Sequence, residues 1–289
     1  MDERAALALL SGHIGEAGDD CAVLEESLLT TDMLHATTDF PGGTTRYTAG
    51  WRAVAASLSD VAAMGGTARA AVAVYAAPDF DEDELTAFVE GASDVCELVG
   101  ATYVGGDLDT HEEFTAATTV LGATDEPVLR SGASPDEAVC VTGTLGRSAA
   151  ALRLFERGDD ARANELFRFI PRIAAGRAIG RHATAMMDSS DGLARSLHQL
   201  ADASGCGMSV SGTLPVDESV EAVADDSEEA HELGVFFGED FELVFTVPED
   251  DLETVREDSP VAVTRIGTVV EDAVTLDGDP LPDRGFTHG

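Results

Sequence analysis

Aspartates set beside glycine, serine and threonine are the residues of this 289-residue sequence whose type and spacing suit chemistry. They are Asp19 and Asp20 after Gly18, Asp32 after Thr30-Thr31, Asp60 in Ser59-Asp60-Val61-Ala62-Ala63-Met64-Gly65-Gly66, Asp107 after Gly105-Gly106, and Asp188 and Asp191 in Asp188-Ser189-Ser190-Asp191-Gly192. Asp60 sits among Ala53, Ala55, Ala56, Ala62 and Ala63, on a helix whose small residues let it pack closely. An unpaired carboxylate is costly to bury there. The chain has no lysine, so the partner of Asp60 must be an arginine, a set of hydrogen-bond donors or a metal ion. If several of these carboxylates converge, each close pair repels by roughly 4 kcal/mol at an effective dielectric of about 20. Divalent cations turn that repulsion into binding. Hard oxygen ligands favour Mg²⁺, which keeps waters, takes one or two carboxylates and bridges to phosphates.

Other chemistries are poorly supplied. A Walker-type phosphate loop is excluded, because its lysine is missing. Any nucleotide must therefore be held by metal, backbone N–H groups and arginine. Gly105-Gly106-Asp107 and Gly143-Thr144-Leu145-Gly146 let backbone approach a ligand, although as isolated motifs both read as turns. Arg130 would offer forked donors beside phosphates. No GxSxG elbow is present, and the seven histidines show no metal spacing. Cys21, Cys96, Cys140 and Cys206 form no CxxC pair and read as buried free thiols.

The charge is unusual: 55 acidic residues against 17 basic ones, all arginine, give −38. That balance opposes binding to nucleic acid or anionic membrane. It suits a salt-loaded cytoplasm, where screening over about 3 Å at 1 M removes the self-repulsion. No apolar run approaches the length of a membrane span and Met1-Asp2-Glu3-Arg4-Ala5 lacks a signal-peptide pattern, so a cytoplasmic protein is expected.

The elements that must position these residues mix strands and helices without a strict βαβ rhythm, so an α+β fold is expected rather than a Rossmann sheet. Strands are predicted over 21–24 and 27–31, with Asp32 just beyond a strand end, then a helix over 48–65 and a strand over 68–76. An amphipathic helix over 81–99 follows, then a short strand over 102–104 leading into the Gly105-Gly106-Asp107 loop, and another over 114–121. Residues 123–127 read as a boundary, dividing the chain into 1–126 and 127–289. Beyond it, strand 138–142 runs into a helix, Pro171 starts another, and strand 185–187 delivers Asp188. Ser189-Ser190-Asp191 caps the helix carrying Leu193, Leu197 and Leu200. Strands over 208–210, 242–247 and 261–269 complete the second half.

Taken in order, the blocks Gly18-Asp19-Asp20-Cys21-Ala22-Val23, Thr30-Thr31-Asp32, Gly50-Trp51-Arg52-Ala53, Ser59-Asp60-Val61-Ala62-Ala63-Met64-Gly65, Gly105-Gly106-Asp107, Asp188-Ser189-Ser190-Asp191-Gly192-Leu193 and Gly238-Glu239-Asp240-Phe241-Glu242-Leu243 resemble the thiamine-monophosphate kinases. The resemblance runs from about residue 12 to the tail. It implies the two-domain fold shared with aminoimidazole-ribonucleotide synthetase, with a mixed-sheet N-terminal domain that pairs in a homodimer and a sandwich-like α/β C-terminal domain. It implies ATP as co-substrate, several Mg²⁺ ions, and thiamine monophosphate as acceptor.

Carried over by position, the Mg²⁺ ligands are Asp20, Thr30, Thr31, Asp32, Asp60, Asp107, Asp188 and Asp191, with Asp60, Asp107 and Asp188 nearest the chemistry. ATP contacts fall to Gly106, Asp107, Arg130 and Ser190. Thiamine contacts fall to Glu239 and Phe286, the latter by stacking. Where the family usually has His before Phe in a substrate-contacting pair, this chain has Asp39-Phe40, and its usual Lys in Gly-Tyr/Trp-Lys-Ala is Arg52. Another ATP-using enzyme of the same superfamily, and a regulator that binds nucleotide without consuming it, are the alternative readings.

Overall fold

The computed structural model describes residues 13–14 and 18–285. In the first half, β1 (Ala22–Leu24) and β2 (Ser27–His35) form a hairpin, followed by α1 (Arg46–Ala63), β3 (Thr67–Ala77), α2 (Glu82–Leu98), β4 (Thr102–Thr110) and β5 (Thr115–Ala123). The strands make one sheet in the order β1-β2-β5-β3-β4, antiparallel except for the β3–β4 pair. The local signals are visible in the chain: Thr45 caps α1 by accepting from the Thr48 N–H, and Asp81 caps α2 by accepting from Asp83 and Glu84.

The second half contains β6 (Ala138–Thr142), α3 (Arg147–Glu156), α4 (Asp160–Phe167), α5 (Ile173–Ile179), β7 (Ala185–Asp188), α6 (Leu193–Ser204), β8 (Gly207–Val210), α7 (Glu218–Glu221) and α8 (Ser227–Phe236). It ends with β9 (Leu243–Val247), α9 (Leu252–Asp258), β10 (Val263–Val270), β11 (Val274–Leu276) and β12 (Asp279–Pro280). Its strands form a second sheet in the order β12-β11-β8-β10-β6-β9-β7. The architecture is the expected α+β mixture of two sheets with covering helices.

Helix α1 is the seam between the halves, and glycines set its close contacts. A Cβ on Gly50 would lie 2.1 Å from the Phe88 carbonyl oxygen of α2, and one on Gly176 of α5 would lie 2.1 Å from that of Ala62. Val54, Leu58 and Val61 of α1 share one buried cluster with Ile173, Ile179, Phe241 and Phe245 from the second half. The Trp51 indole N–H donates to the Phe169 carbonyl at 2.7 Å.

Two local expectations change. Strand β2 continues past Thr31 to His35, so Asp32 lies inside it, paired with Thr118 of β5. Pairing along a full-length neighbour carries the strand through an aspartate that local preference would place at its end. Likewise Gly105-Gly106-Asp107 is no loop but the middle of β4. Gly106 is needed because a Cβ there would sit 1.6 Å from the Ala73 carbonyl oxygen of the adjacent strand.

Candidate active site

Strand alternation and the helix repeat bring the carboxylates together. Along β2, Leu28 and Thr30 are buried while Leu29, Thr31 and Met33 are exposed, so Thr30 and Asp32 share the face that meets α1. The Thr30 hydroxyl donates to Asp60 Oδ2. One helical turn earlier, the Ser57 hydroxyl donates to Asp32 Oδ2 at 2.6 Å and bonds Thr118 at 2.7 Å. Asp188 is the last residue of β7 and is buried. Asp20, just ahead of β1, is gripped by Arg130 through Nη2–Oδ1 at 2.8 Å and Nε–Oδ2 at 3.3 Å, and the Arg130 backbone N–H donates to Asp19 at 2.8 Å. The result is that one oxygen each from Asp20, Asp60 and Asp188 lie within 4.8 Å of one another.

Such crowding shows in the proton affinities. Burial first, then Asp32, Asp188 and Asp20, push the Asp60 carboxyl well above the usual range, against the lowering effect of Thr30. Burial and Asp20 raise Asp188 to about 7, opposed by Ser59, Arg130 and Ser190. The neighbouring Cys21 thiol is pushed up by burial and by the same carboxylates, which keeps it protonated and inert. Asp188 Oδ2 is buried, and among the described residues it has no hydrogen-bond partner. Three converging hard oxygen donors with one orphaned oxygen fit a Mg²⁺-type ion, and one arginine fork cannot neutralise all of them.

Beside the Asp188 turn lies a second feature, the 238–241 loop. Its backbone is left-handed at Gly238 (φ 84°), Glu239 (φ 62°) and Phe241 (φ 54°), a conformation that non-glycine residues hold only under restraint. The Glu239 N–H donates to the Ser190 carbonyl at 2.7 Å, and its carbonyl accepts from the Ser148 hydroxyl and from Arg52 Nη2 at 3.1 Å. Asp240 caps α3 by accepting from the Gly146 and Ser148 N–H groups. A cavity of about 570 Å³ lined by Arg69, Arg177 and Arg181 with Glu26, Asp125 and Glu126 shares no residue with these groups. The chemistry is therefore marked by converging charge rather than by that hollow.

Comparison with known proteins decides the family. Residues 18–124 match the model of the AIR synthase related protein N-terminal domain, and 134–278 that of its C-terminal domain. Thiamine-monophosphate kinase of Halobacterium salinarum is 62% identical over the full length of both chains. The chain belongs to the thiamine-monophosphate kinase family. The kinase of Methanospirillum hungatei is 40% identical, covering 100% of this chain and 99% of its own. A solved structure of AaThiL complexed with AMPPCP and TMP superposes with a TM-score of 0.90 at 29% identity, covering 100% of this chain and 97% of that one. The acidic, lysine-free composition of this family member accords with a salt-loving relative.

Against that family the expected site residues fall into groups. Asp20, Thr30, Asp32, Asp60 and Asp188 are brought together. Arg130 joins them through Asp20, and Ser190 joins through its N–H on Asp188 Oδ1 at 3.4 Å. Asp191 occupies the turn before α6, against the backbone of Gly285. Thr31 alternates to the opposite sheet face, where its hydroxyl donates to the Thr118 carbonyl at 2.8 Å. Gly106 and Asp107 lie on the exposed edge strand β4, with Asp107 opposite Val74, outside the three-carboxylate cluster. Asp39 is buried and accepts from the His35 N–H and the Thr38 hydroxyl, each at 2.7 Å. Phe286 lies outside the described residues. Sequence reasoning passed over Ser57, whose only signal was a hydroxyl on an apolar helix one turn before Asp60. It also passed over Arg172, which forks onto buried Glu242.

Proposed function

We infer that the chain transfers the γ-phosphoryl group of ATP to the phosphate of thiamine monophosphate, giving ADP and thiamine diphosphate. The observation that carries this reading is the convergence of Asp20, Asp60 and Asp188 at the seam between the halves, in a chain 62% identical to a thiamine-monophosphate kinase. Asp20, Asp32, Asp60 and Asp188 are the residues that would hold Mg²⁺, with Thr30, Thr31, Asp107 and Asp191 completing the set by family position. Bound there, Mg²⁺ supplies charge neutralisation between two phosphate chains.

The protein's own part is positioning. The acceptor is a phosphate oxygen, largely dianionic near neutral pH, so no side chain has to remove a proton. Thr30 and Ser57 fix the carboxylates of Asp60 and Asp32, which keeps the reacting groups in line. Arg130, held on Asp20, stands ready for ATP together with Ser190, Gly106 and Asp107. Glu239, Asp39 and Phe286 are assigned to the thiamine portion.

A homodimer accompanies this reading. Leu29, Met33, Val72, Val74 and Leu121 are exposed apolar residues of the first sheet, aligned across neighbouring strands by the β2–β5 and β3–β5 registers. A second copy covering that sheet is the arrangement that can bring the edge-strand Asp107 to a partner's carboxylates. We divide the chain at 126/127 into a nucleotide-binding and dimerising unit and a unit that completes the site, and we place the reaction in the cytoplasm; among the described residues no helix is long and apolar enough to cross a membrane.

The deciding experiment is ³¹P NMR of the purified protein with ATP, Mg²⁺ and thiamine monophosphate in molar KCl. Thiamine diphosphate and ADP should appear together. ADP with free phosphate and no thiamine diphosphate would point to another acceptor, and intact but bound ATP to a regulator.

A further inference from the structure

Arg52 is the largest fully buried side chain among the described residues, 1% exposed, on a helix otherwise lined by small and apolar residues. Both terminal nitrogens of its guanidinium are occupied by the second half of the chain. Nη1 donates to the Phe167 carbonyl at 2.7 Å and to the Ser148 hydroxyl at 3.4 Å, while Nη2 donates to the Glu239 carbonyl at 3.1 Å and pairs with Glu239 Oε2. The guanidinium carbon lies over the Phe167 ring, 3.7 Å from its centroid, with the Phe169 and Phe241 rings at 5.3 and 5.5 Å. A lysine, with one compact charge and no fork, cannot make this set of contacts.

Two facts give the arrangement a direction. Arg52 and Asp60 are eight residues apart on α1, so they share one face about 12 Å apart along a rigid helix. At one end the helix presents the carboxylate cluster, and at the other it holds the left-handed loop at Glu239. The pairing also engages only Oε2 of Glu239, and no hydrogen bond to Oε1 is found among the described residues. Arg52 thus leaves one Glu239 oxygen open at a fixed place relative to Asp60.

We propose that Arg52 is a positioning residue for the acceptor substrate, which locks Glu239 to α1 so that its free carboxylate oxygen meets the cationic thiamine portion at a set distance from the phosphoryl-transfer centre. This rests on the reading of Glu239 as a thiamine contact. The role is specific to one substrate: the hydrogen bonds of Arg52 go to Ser148, Phe167 and Glu239 rather than to the carboxylate cluster, so ATP and metal binding should not depend on it.

The test is steady-state kinetics of the full-length protein in molar KCl for Arg52→Met, Arg52→Lys and Glu239→Gln. Arg52→Met should raise the KM for thiamine monophosphate about tenfold and Arg52→Lys, which keeps the charge but loses the fork, about threefold, with kcat within twofold and the KM for ATP unchanged. A purely structural role would move both KM values and kcat together. If Arg52→Met fails to fold, Arg52→Lys carries the test. An unchanged KM for thiamine monophosphate in Arg52→Lys, or an equal rise in the KM for ATP, overturns the proposal. Glu239→Gln separates the two readings. If it raises the thiamine monophosphate KM while the arginine variants do not, only the role of Arg52 fails. If it leaves that KM unchanged, the assignment of Glu239 fails and the proposal falls with it.

Discussion

Helix α1 carries buried charge at two places, and they are built in opposite ways. At Asp60, carboxylates from β7, from the segment before β1 and from the helix itself are pressed within 4.8 Å, with one arginine fork, on Asp20, to offset them. At Arg52 both terminal nitrogens have acceptors, and in the second half of the chain Arg172 forks onto Glu242, with Nε–Oε2 at 2.7 Å. A folded chain that can satisfy charge this fully at one place leaves it unsatisfied at another because something outside the chain completes it. On the proposed reading the crowded end binds an ion at a cost in stability, whereas the paired end ties α1 to the Glu239 loop.

Breaking the crowded end should have the largest effect on turnover and the opposite effect on stability. Asp60→Asn is expected to lower kcat by about 10³-fold or more, since charge neutralisation at the transferring phosphate is the main catalytic device. In EDTA at pH 8 the same variant should melt about 3 °C higher than the parent, because a repelling carboxylate has gone. Near-parental turnover at saturating Mg²⁺ would remove Asp60 from the metal set. The paired end should respond the other way. Arg172→Met strands Glu242, a residue only 3% exposed, and should cost about 3 kcal/mol in denaturant titrations.

The pH dependence sharpens the contrast. A carboxyl whose folded pKa lies above its unfolded value takes up a proton on folding, so its stabilisation is present at low pH and fades as pH rises through the folded value. Asp188 and Asp240 are both raised to about 7, each by burial first, and Asp60 is raised well above its ordinary range by burial and its carboxylate neighbours. Metal-free protein should therefore lose stability as the pH climbs from the ordinary carboxylate range toward 7 and beyond. Added Mg²⁺ should remove the share due to Asp60 and Asp188, because an ion holds them ionised. The share due to Asp240, which caps α3 and touches no cluster member, should persist with Mg²⁺ and vanish in Asp240→Asn. A slope that Mg²⁺ leaves untouched would mean that the crowded carboxylates do not bind it.

Much of this was legible in the sequence, for identifiable reasons. Asp60 declared itself because a carboxylate among alanines needs a partner, and the Asp188 turn because serine and glycine cluster there, although the cap expected of Ser189-Ser190-Asp191 does not form: α6 starts after Gly192 with no side-chain cap bond. The first two helices, expected over 48–65 and 81–99, fall at Arg46–Ala63 and Glu82–Leu98. What escaped depended on strands seen only in the folded sheet. Asp32 looked like a strand end and Gly105-Gly106 like a turn, because pairing with β5 and β3 overrides local preference. Arg52 read as a by-product of lysine loss, since its partners lie 96 to 187 residues away.

Strand alternation supplies the smallest and most discriminating contrast. Thr30 and Thr31 are adjacent, and family position gives both to the metal set, yet only the Thr30 hydroxyl reaches Asp60, while that of Thr31 is spent on the Thr118 carbonyl across the sheet. Thr30→Val removes a donor that orients a crowded carboxylate and should lower kcat about tenfold, within the range typical of a lost positioning hydrogen bond. Thr31→Val keeps the backbone carbonyl and the β propensity, so kcat should change less than about twofold. Equal losses in the two variants would show that the outer face of β2 also takes part in catalysis, as it would if a second copy of the chain placed its own edge strand there.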